Sequence, residues 1–104
     1  MKESSLILIC LFLSILVNAQ IQKLSVYPNP ASGHVTITLN SETNAKYTLS
    51  VVDMIGRVKV MENILVGEGF NQRKIDLDNF VKGLYMVVIH ADGKNDQAVR
   101  LIVE

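Results

Sequence analysis

The chain has 104 residues, and its ten basic and ten acidic side chains give a formal net charge of zero. This balance argues against a polybasic nucleic-acid binder, and the length leaves room for a single domain. Apolar residues make up 49% of the sequence and are most concentrated in residues 1–19. The first segment therefore differs in kind from the rest of the chain.

Residues 1–19 have the pattern of a cleavable signal peptide. Lys2 precedes an apolar run over residues 6–17, which is too short to cross a bilayer as a helix. Small residues follow this run, and they predict cleavage between Ala19 and Gln20. The alternative interpretation is that the run forms a buried first helix or strand.

Residues 20–104 are predicted to form one all-β domain. Cleavage would remove Cys10, the one cysteine, so this domain is expected to hold no disulfide and no Cys-based metal site. Its β-branched residues alternate with polar ones at a period of two, which is typical of half-buried strands. Strands are predicted over residues 23–27, 34–39, 46–53, 58–65, 74–77, 84–91 and 99–103. Their number and short spacing favour an immunoglobulin-like β-sandwich of about seven antiparallel strands.

The strand predicted over residues 84–91 has two features of its own. It is apolar on both faces, which predicts a central strand covered by a layer on each side. Tyr85 lies just inside it, where it resembles a tyrosine corner, whose hydroxyl group bonds to nearby backbone; the alternative is a tyrosine that is simply buried. The side chains expected to share one core with this strand are Val35, Ile37, Val87 and Ile89.

The segments between strands carry residues typical of turns. Pro28 and Pro30 lack the N–H groups of a ladder, so residues 27–33 are predicted to form a rigid bend without ladder hydrogen bonds. Residues 53–57 are typical of a hairpin loop, with Gly56 in the left-handed conformation. Further turns are predicted at residues 67–69 and 92–93.

Four motifs, taken in order, resemble a known family. They are Tyr-Pro-Asn-Pro-Ala-Ser-Gly at residues 27–33, Val-Val-Asp-Met-Ile-Gly-Arg-Val at 51–58, Gly-Leu-Tyr-Met-Val at 83–87 and Arg-Leu-Ile-Val at 100–103. Over about residues 24–104 the chain is similar to the type A C-terminal sorting domain of the type IX secretion system of the Bacteroidota. The last motif usually begins with Lys in that family, and Arg100 keeps the positive charge.

The resemblance implies a function in protein export. Such a domain reaches the periplasm through the general secretory machinery, and the type IX outer-membrane translocon recognises its C-terminal end. A sortase-like peptidase then often removes the domain, and the cargo is released or attached to the cell surface. The resemblance implies that the translocon recognises the end of the last strand, at Arg100, Leu101, Ile102, Val103 and Glu104. An exposed edge on this last strand would allow recognition by strand addition.

The other family motifs are expected to preserve the fold rather than to contact a partner. Their residues are Tyr27, Pro28, Asn29, Pro30, Gly33, Asp53, Gly56, Arg57, Gly83 and Tyr85. Residues 20–22 alone separate the predicted cleavage site from the first strand, where family members normally carry a large exported domain. Either the sorting domain is itself the exported product, or the sequence is a fragment of a longer one.

No motif predicts an enzyme, a cofactor or a metal site. His34 and His90 are far apart in the sequence, and each falls in a strand pattern, so neither a hydrolytic triad nor a zinc site is expected. We expect His34 on the surface and His90 half-buried. The sequence thus predicts a non-catalytic sorting module, secreted or displayed on the cell surface. The alternative is a small secreted binding or adhesion module of the same fold.

Overall fold

The computed structural model describes residues 21–104, which form seven strands and no helix. The strands are β1 (Ile21–Ser32), β2 (His34–Ser41), β3 (Ala45–Asp53), β4 (Val58–Val66), β5 (Gly69–Asp76), β6 (Gly83–His90) and β7 (Gln97–Val103). A helix that could cross a membrane is therefore absent from this part of the chain. The predicted cleavage site between Ala19 and Gln20 lies outside the described residues.

The strands form a sandwich of two sheets. The three-stranded sheet has the order β1-β2-β5, and the four-stranded sheet has the order β4-β3-β6-β7. Strand β1 takes part in both, because its first part pairs with β2 and Ala31 near its end pairs with Val103 of β7. This last pairing is parallel, whereas the other pairings among the described strands are antiparallel. The predicted all-β sandwich of seven strands is confirmed.

The core lies between the inner faces of the two sheets. Val35 and Ile37 of β2 and Val87 and Ile89 of β6 are buried in one apolar cluster, as predicted. They occupy alternate positions because successive side chains of a strand point to opposite faces. Burying a side chain of this kind contributes about 1.5–3 kcal/mol, so a domain without disulfides depends on this cluster for its stability.

Polar contacts join the two sheets on the side where β4 leads into β5. The Arg73 guanidinium of β5 forms an ion pair with the Glu62 carboxylate of β4. In the turn between the two strands, the Asn71 carboxamide accepts a hydrogen bond from the Gly67 N–H (2.9 Å) and donates one to the Gly67 carbonyl (2.7 Å). The turn predicted around Gly67 therefore lets the chain cross from one sheet to the other.

Two strands, β5 and β1, extend furthest beyond their predicted bounds. Strand β5 begins at Gly69 rather than at residue 74, because its first residues lie at the sheet edge and lack the alternation that marks a half-buried strand. Strand β1 continues to Ser32, through the two prolines. Its ladder with β2 is interrupted between Tyr27 and Ser32, as the prolines require, but the segment is not a simple bend.

The prediction that β6 is covered on both faces is wrong. Its inner side chains are buried in the core: Tyr85, Val87 and Ile89. Its outer side chains are only partly buried, and within residues 21–104 no further layer lies over them: Leu84, Met86 and Val88. A run that is apolar at every position indicates that both faces avoid charge, but it does not show that both faces are buried within the same chain.

Candidate functional site

The five residues predicted to carry the sorting signal lie on β7 and just after it. Strand β7 pairs with β6, and Arg100 lies opposite Met86 while Ile102 lies opposite Leu84. The side chains of Leu101 and Val103 are buried in the core, whereas Arg100, Ile102 and Glu104 are exposed. Alternation along the strand thus divides the predicted signal into an inner part that packs and an outer part that a partner can contact.

The Pro-Asn-Pro segment (residues 28–30) lies beside β7. The Asn29 carboxamide donates a hydrogen bond to the Arg100 carbonyl (2.8 Å) and accepts one from the Ile102 N–H (3.0 Å). Both proline peptide bonds, Tyr27–Pro28 and Asn29–Pro30, are cis. Because proline has no N–H to donate, the Asn29 side chain supplies a donor and an acceptor in place of the backbone.

The backbone after Pro30 continues the same contact. Ala31 is fully buried and pairs with Val103, and its carbonyl accepts a hydrogen bond from the Glu104 N–H (2.8 Å). The side of β7 facing β1 is therefore covered from Arg100 to Glu104. The prediction that the last strand offers an exposed edge is wrong for these residues, because β1 crosses from the first sheet to the second and lies against them.

Gly33 ends this segment and returns the chain into β2. Its φ of 82° lies in the left-handed region that glycine adopts without steric cost. Its carbonyl accepts a hydrogen bond from the Leu77 N–H (2.9 Å), which ties the turn to the end of β5. The positive φ, and not the carbonyl contact, explains why a glycine stands at this place.

Tyr85 makes the contact expected of a tyrosine corner. Its ring is buried, and its hydroxyl group donates a hydrogen bond to the Val81 carbonyl (2.5 Å), four residues upstream. Phe80 packs against the ring edge-to-face, with 5.2 Å between the ring centroids. These contacts fix the connection that enters β6 at Gly83, opposite Val103. Tyr85 therefore helps to hold β6 in place, and β6 is the strand with which β7 pairs.

Asp53 closes the hairpin between β3 and β4. Its carboxylate accepts hydrogen bonds from the Ile55 N–H (3.1 Å), the Arg57 N–H (2.9 Å) and the Arg57 Nε (2.7 Å). Desolvation is the largest single influence and acts to raise the pKa of Asp53, but these hydrogen bonds together hold the pKa below its ordinary value. Gly56, at a φ of 87°, supplies the left-handed residue of the turn.

His90 lies at the opposite end of β6, beside the turn that leads to β7. Its Nδ1 lies 2.5 Å from an Asp96 oxygen, and its Nε2 lies 3.6 Å from an Asp92 oxygen. The hydrogen bond to Asp96, with the charges of both carboxylates, raises the pKa of His90. The side chain is 49% exposed, in agreement with the half-buried position expected for it. Among residues 21–104, no group of three potential metal ligands is close enough to hold an ion.

The fold and these contacts define a small β-sandwich domain whose last strand is held in place by an N-terminal Pro-Asn-Pro segment. The model of the secretion system C-terminal sorting domain family matches residues 25–104. The chain belongs to this family, the sorting domains of type IX secretion, which are not enzymes and direct export to the cell surface or secretion.

Solved structures match parts of the chain at low similarity. A beta-glucosidase from Listeria innocua matches with a TM-score of 0.46 and 14% identity, over 79% of this chain and 16% of the enzyme. A beta-glucosidase from Bifidobacterium adolescentis matches with a TM-score of 0.39 and 18% identity, over 79% of this chain and 17% of the enzyme. The chain thus spans about a sixth of the length of these enzymes. No curated protein sequence matches it.

Proposed function

We propose that residues 20–104 are a non-catalytic sorting module that carries an attached protein across the outer membrane through the type IX translocon. The observation that carries this proposal is the arrangement of β7. The Asn29 carboxamide and the Ala31 backbone hold the strand, while the side chains of Arg100 and Ile102 face solvent. A rigid strand with a fixed set of exposed side chains suits recognition, because little conformational entropy is lost on binding.

The partners of this module follow from the same proposal. The translocon recognises the exposed part of β7, and a sortase-like peptidase acts on the exported protein, which is then released or attached to the cell surface. Residues 1–19 serve as the signal peptide for the general secretory machinery. N-terminal sequencing of the exported protein should find Gln20 first, and an exported product that still begins with Met1 would contradict this boundary.

The test uses a fusion of a signal peptide, a fluorescent protein and residues 20–104. In a cell with type IX secretion the fluorescence should reach the surface or the medium. In a matched cell without the translocon it should stay in the periplasm. If the fusion stays in the periplasm of the competent cell, as the fluorescent protein does without residues 20–104, the proposal fails.

Point substitutions test β7 better than truncation. Deleting residues 100–104 would remove Leu101 and Val103 from the core, so loss of export could reflect unfolding alone. Arg100→Glu reverses an exposed charge, and exposed substitutions usually change stability by less than about 0.5 kcal/mol. Arg100→Lys keeps the charge and serves as the matched control. Reduced export of Arg100→Glu with normal export of Arg100→Lys is the expected result.

A further inference from the structure

The outer face of the four-stranded sheet is apolar at the end where β7 finishes. Residues that lie opposite one another in the ladders have their side chains on the same face, and the register places Val52 beside Met86 and Leu84 beside Ile102. We call this surface the outer apolar face. Its members are Val52, Val58, Met61, Leu84, Met86, Val88, Ala98 and Ile102.

Several of these side chains are strongly exposed. Met61 is 63% exposed, and Ile102 is 42% exposed. Four strands spaced about 4.8 Å apart, with about five residues each, give the face an area of roughly 300 Å². Contiguous apolar patches of this size on small proteins are often sites of interaction. The apolar outer positions of β6, which the core does not explain, are explained if a partner covers them.

The charges on the same surface indicate what kind of partner fits. The charged or titratable side chains at the outward positions of β3, β6 and β7 are Lys46, His90 and Arg100. The Asp96 and Asp92 carboxylates already lie against His90, so Arg100 is the cation beside the apolar residues of this surface. Within residues 21–104, no carboxylate forms an ion pair with the Arg100 guanidinium. The cation stands next to Met86 in an apolar setting and is available to a carboxylate of another molecule.

A second copy of this chain fits the surface poorly. Pairing two such faces would bring the Arg100 cations of both copies onto one interface that offers them no carboxylate, and uncompensated like charges weaken association. The area is also well below the roughly 800 Å² per partner of a standard stable interface. A different protein, with an apolar surface and a carboxylate, matches the chemistry, and the small area limits it to a weak contact.

Because the backbone of β7 is covered near its end, a partner can reach this part of the strand only through its outward side chains. From Arg100 to Glu104, β7 is paired on one side with β6 and covered on the other by Asn29 and Ala31. A partner strand therefore cannot add to this part of β7 without displacing β1. The outward side chains of Arg100 and Ile102 remain accessible, and they adjoin those of Leu84 and Met86.

We propose that the outer apolar face, with Arg100 at its β7 side, is the docking surface for a protein of the export machinery whose contact surface is apolar and carries a carboxylate. This inference rests on the proposed sorting function and adds β6 and β3 to the residues that are recognised. The small area makes the contact transient, as suits a label that is handed on during export.

The test compares two exposed apolar sites on opposite sides of the sandwich. The double variant Met86→Gln and Ile102→Gln makes the outer apolar face polar without touching the core. Phe70→Gln is the matched control, because Phe70 is 64% exposed on the outer side of the three-stranded sheet, opposite Asn40. Both are made in the fluorescent fusion, and urea unfolding of the purified proteins checks that each is folded.

The double variant should lower export about fivefold or more, which corresponds to about 1 kcal/mol of binding free energy, while Phe70→Gln exports normally. If a folded double variant exports as well as the wild type, the docking surface is wrong and the sorting function stands. If the wild-type fusion itself is not exported, the sorting function fails. An equal loss of export in Phe70→Gln would show that the effect is not specific to the outer apolar face, and would contradict the proposal. If the wild-type domain dimerises and the double variant does not, the occupant of the face is a second copy, and the proposed partner is wrong.

Discussion

The two outer faces of the sandwich are built in different ways. On the three-stranded sheet, polar side chains bond to one another: the Ser25 and Thr38 hydroxyl groups lie 2.6 Å apart, and the Gln72 amide donates to the Tyr27 hydroxyl group (2.9 Å). On the four-stranded sheet, the corresponding positions near Arg100 are apolar and have no such network. One face satisfies its own hydrogen bonds, whereas the other leaves apolar side chains such as Met61 and Ile102 exposed to solvent.

This difference shows that strands of one sandwich can carry polar side chains on their outer side, as β2 does, or apolar ones, as β6 does. In β2 the outward threonines Thr36 and Thr38 are themselves nearly buried, because neighbouring strands flank them on both sides. In β6 the outward residues Leu84, Met86 and Val88 are apolar with the same degree of flanking, so the choice of side chain there is not imposed by the sheet. The proposed docking surface would account for these apolar residues.

The largest expected effect comes from the core that supports both faces. Ile89 is 2% exposed on the inner side of β6, so Ile89→Ala should cost about 2–5 kcal/mol through lost burial and the cavity it leaves. Val88→Ala, one position away on the outer side, should cost less. Urea unfolding measures both. A loss below about 0.5 kcal/mol for Ile89→Ala would contradict the core assignment.

The next effect concerns the contact between β1 and β7. Asn29→Ala removes both hydrogen bonds to β7 and should lower the free energy of unfolding by about 1–2 kcal/mol. Asn29→Asp keeps an acceptor for the Ile102 N–H and should cost less. Amide hydrogen exchange at Ile102 should become faster in Asn29→Ala. Unchanged protection there would show that Asn29 does not hold the strand.

A smaller effect distinguishes the two outer faces directly. Thr38→Val removes the hydrogen bond to Ser25 in the polar face and should cost about 0.5–1.5 kcal/mol. Val88→Thr makes a comparable change in the outer apolar face, where no partner of the same chain is lost, and should be close to neutral. Equal losses in the two variants, measured by urea unfolding, would remove the contrast between the faces.

The smallest expected effect is a pH dependence at the end of the four-stranded sheet. Asp96 and then Asp92 raise the pKa of His90 above its ordinary value of 6.5, so the protonated form is favoured in the folded state. The stability from this pairing is fully present below pH 6.5 and is lost as the pH rises through the folded pKa. Urea unfolding at several pH values should show this loss in the wild type and not in His90→Asn. Parallel curves for the two proteins would contradict it.

Much of the fold could be predicted from local patterns. The period of two in β2 and β6 predicts the inner positions Val35, Ile37, Val87 and Ile89, because burial on one face selects apolar residues at alternate positions. The position of Tyr85 at the start of β6 indicated a tyrosine corner, and its hydroxyl group does bond to the Val81 carbonyl. The signal peptide over residues 1–19 stays a prediction from the sequence.

Only the tertiary structure decided how β7 is presented. Asn29 lies 71 positions from Arg100, and no local pattern shows that its carboxamide replaces a backbone partner of the last strand. Whether the second face of β6 is covered also depends on where other layers lie, whereas hydrophobicity reports only that a side chain avoids charge. The sequence by itself therefore determined the family, the strands and the core, and long-range packing decided that the backbone edge of the last strand is covered while Arg100 and Ile102 stay exposed.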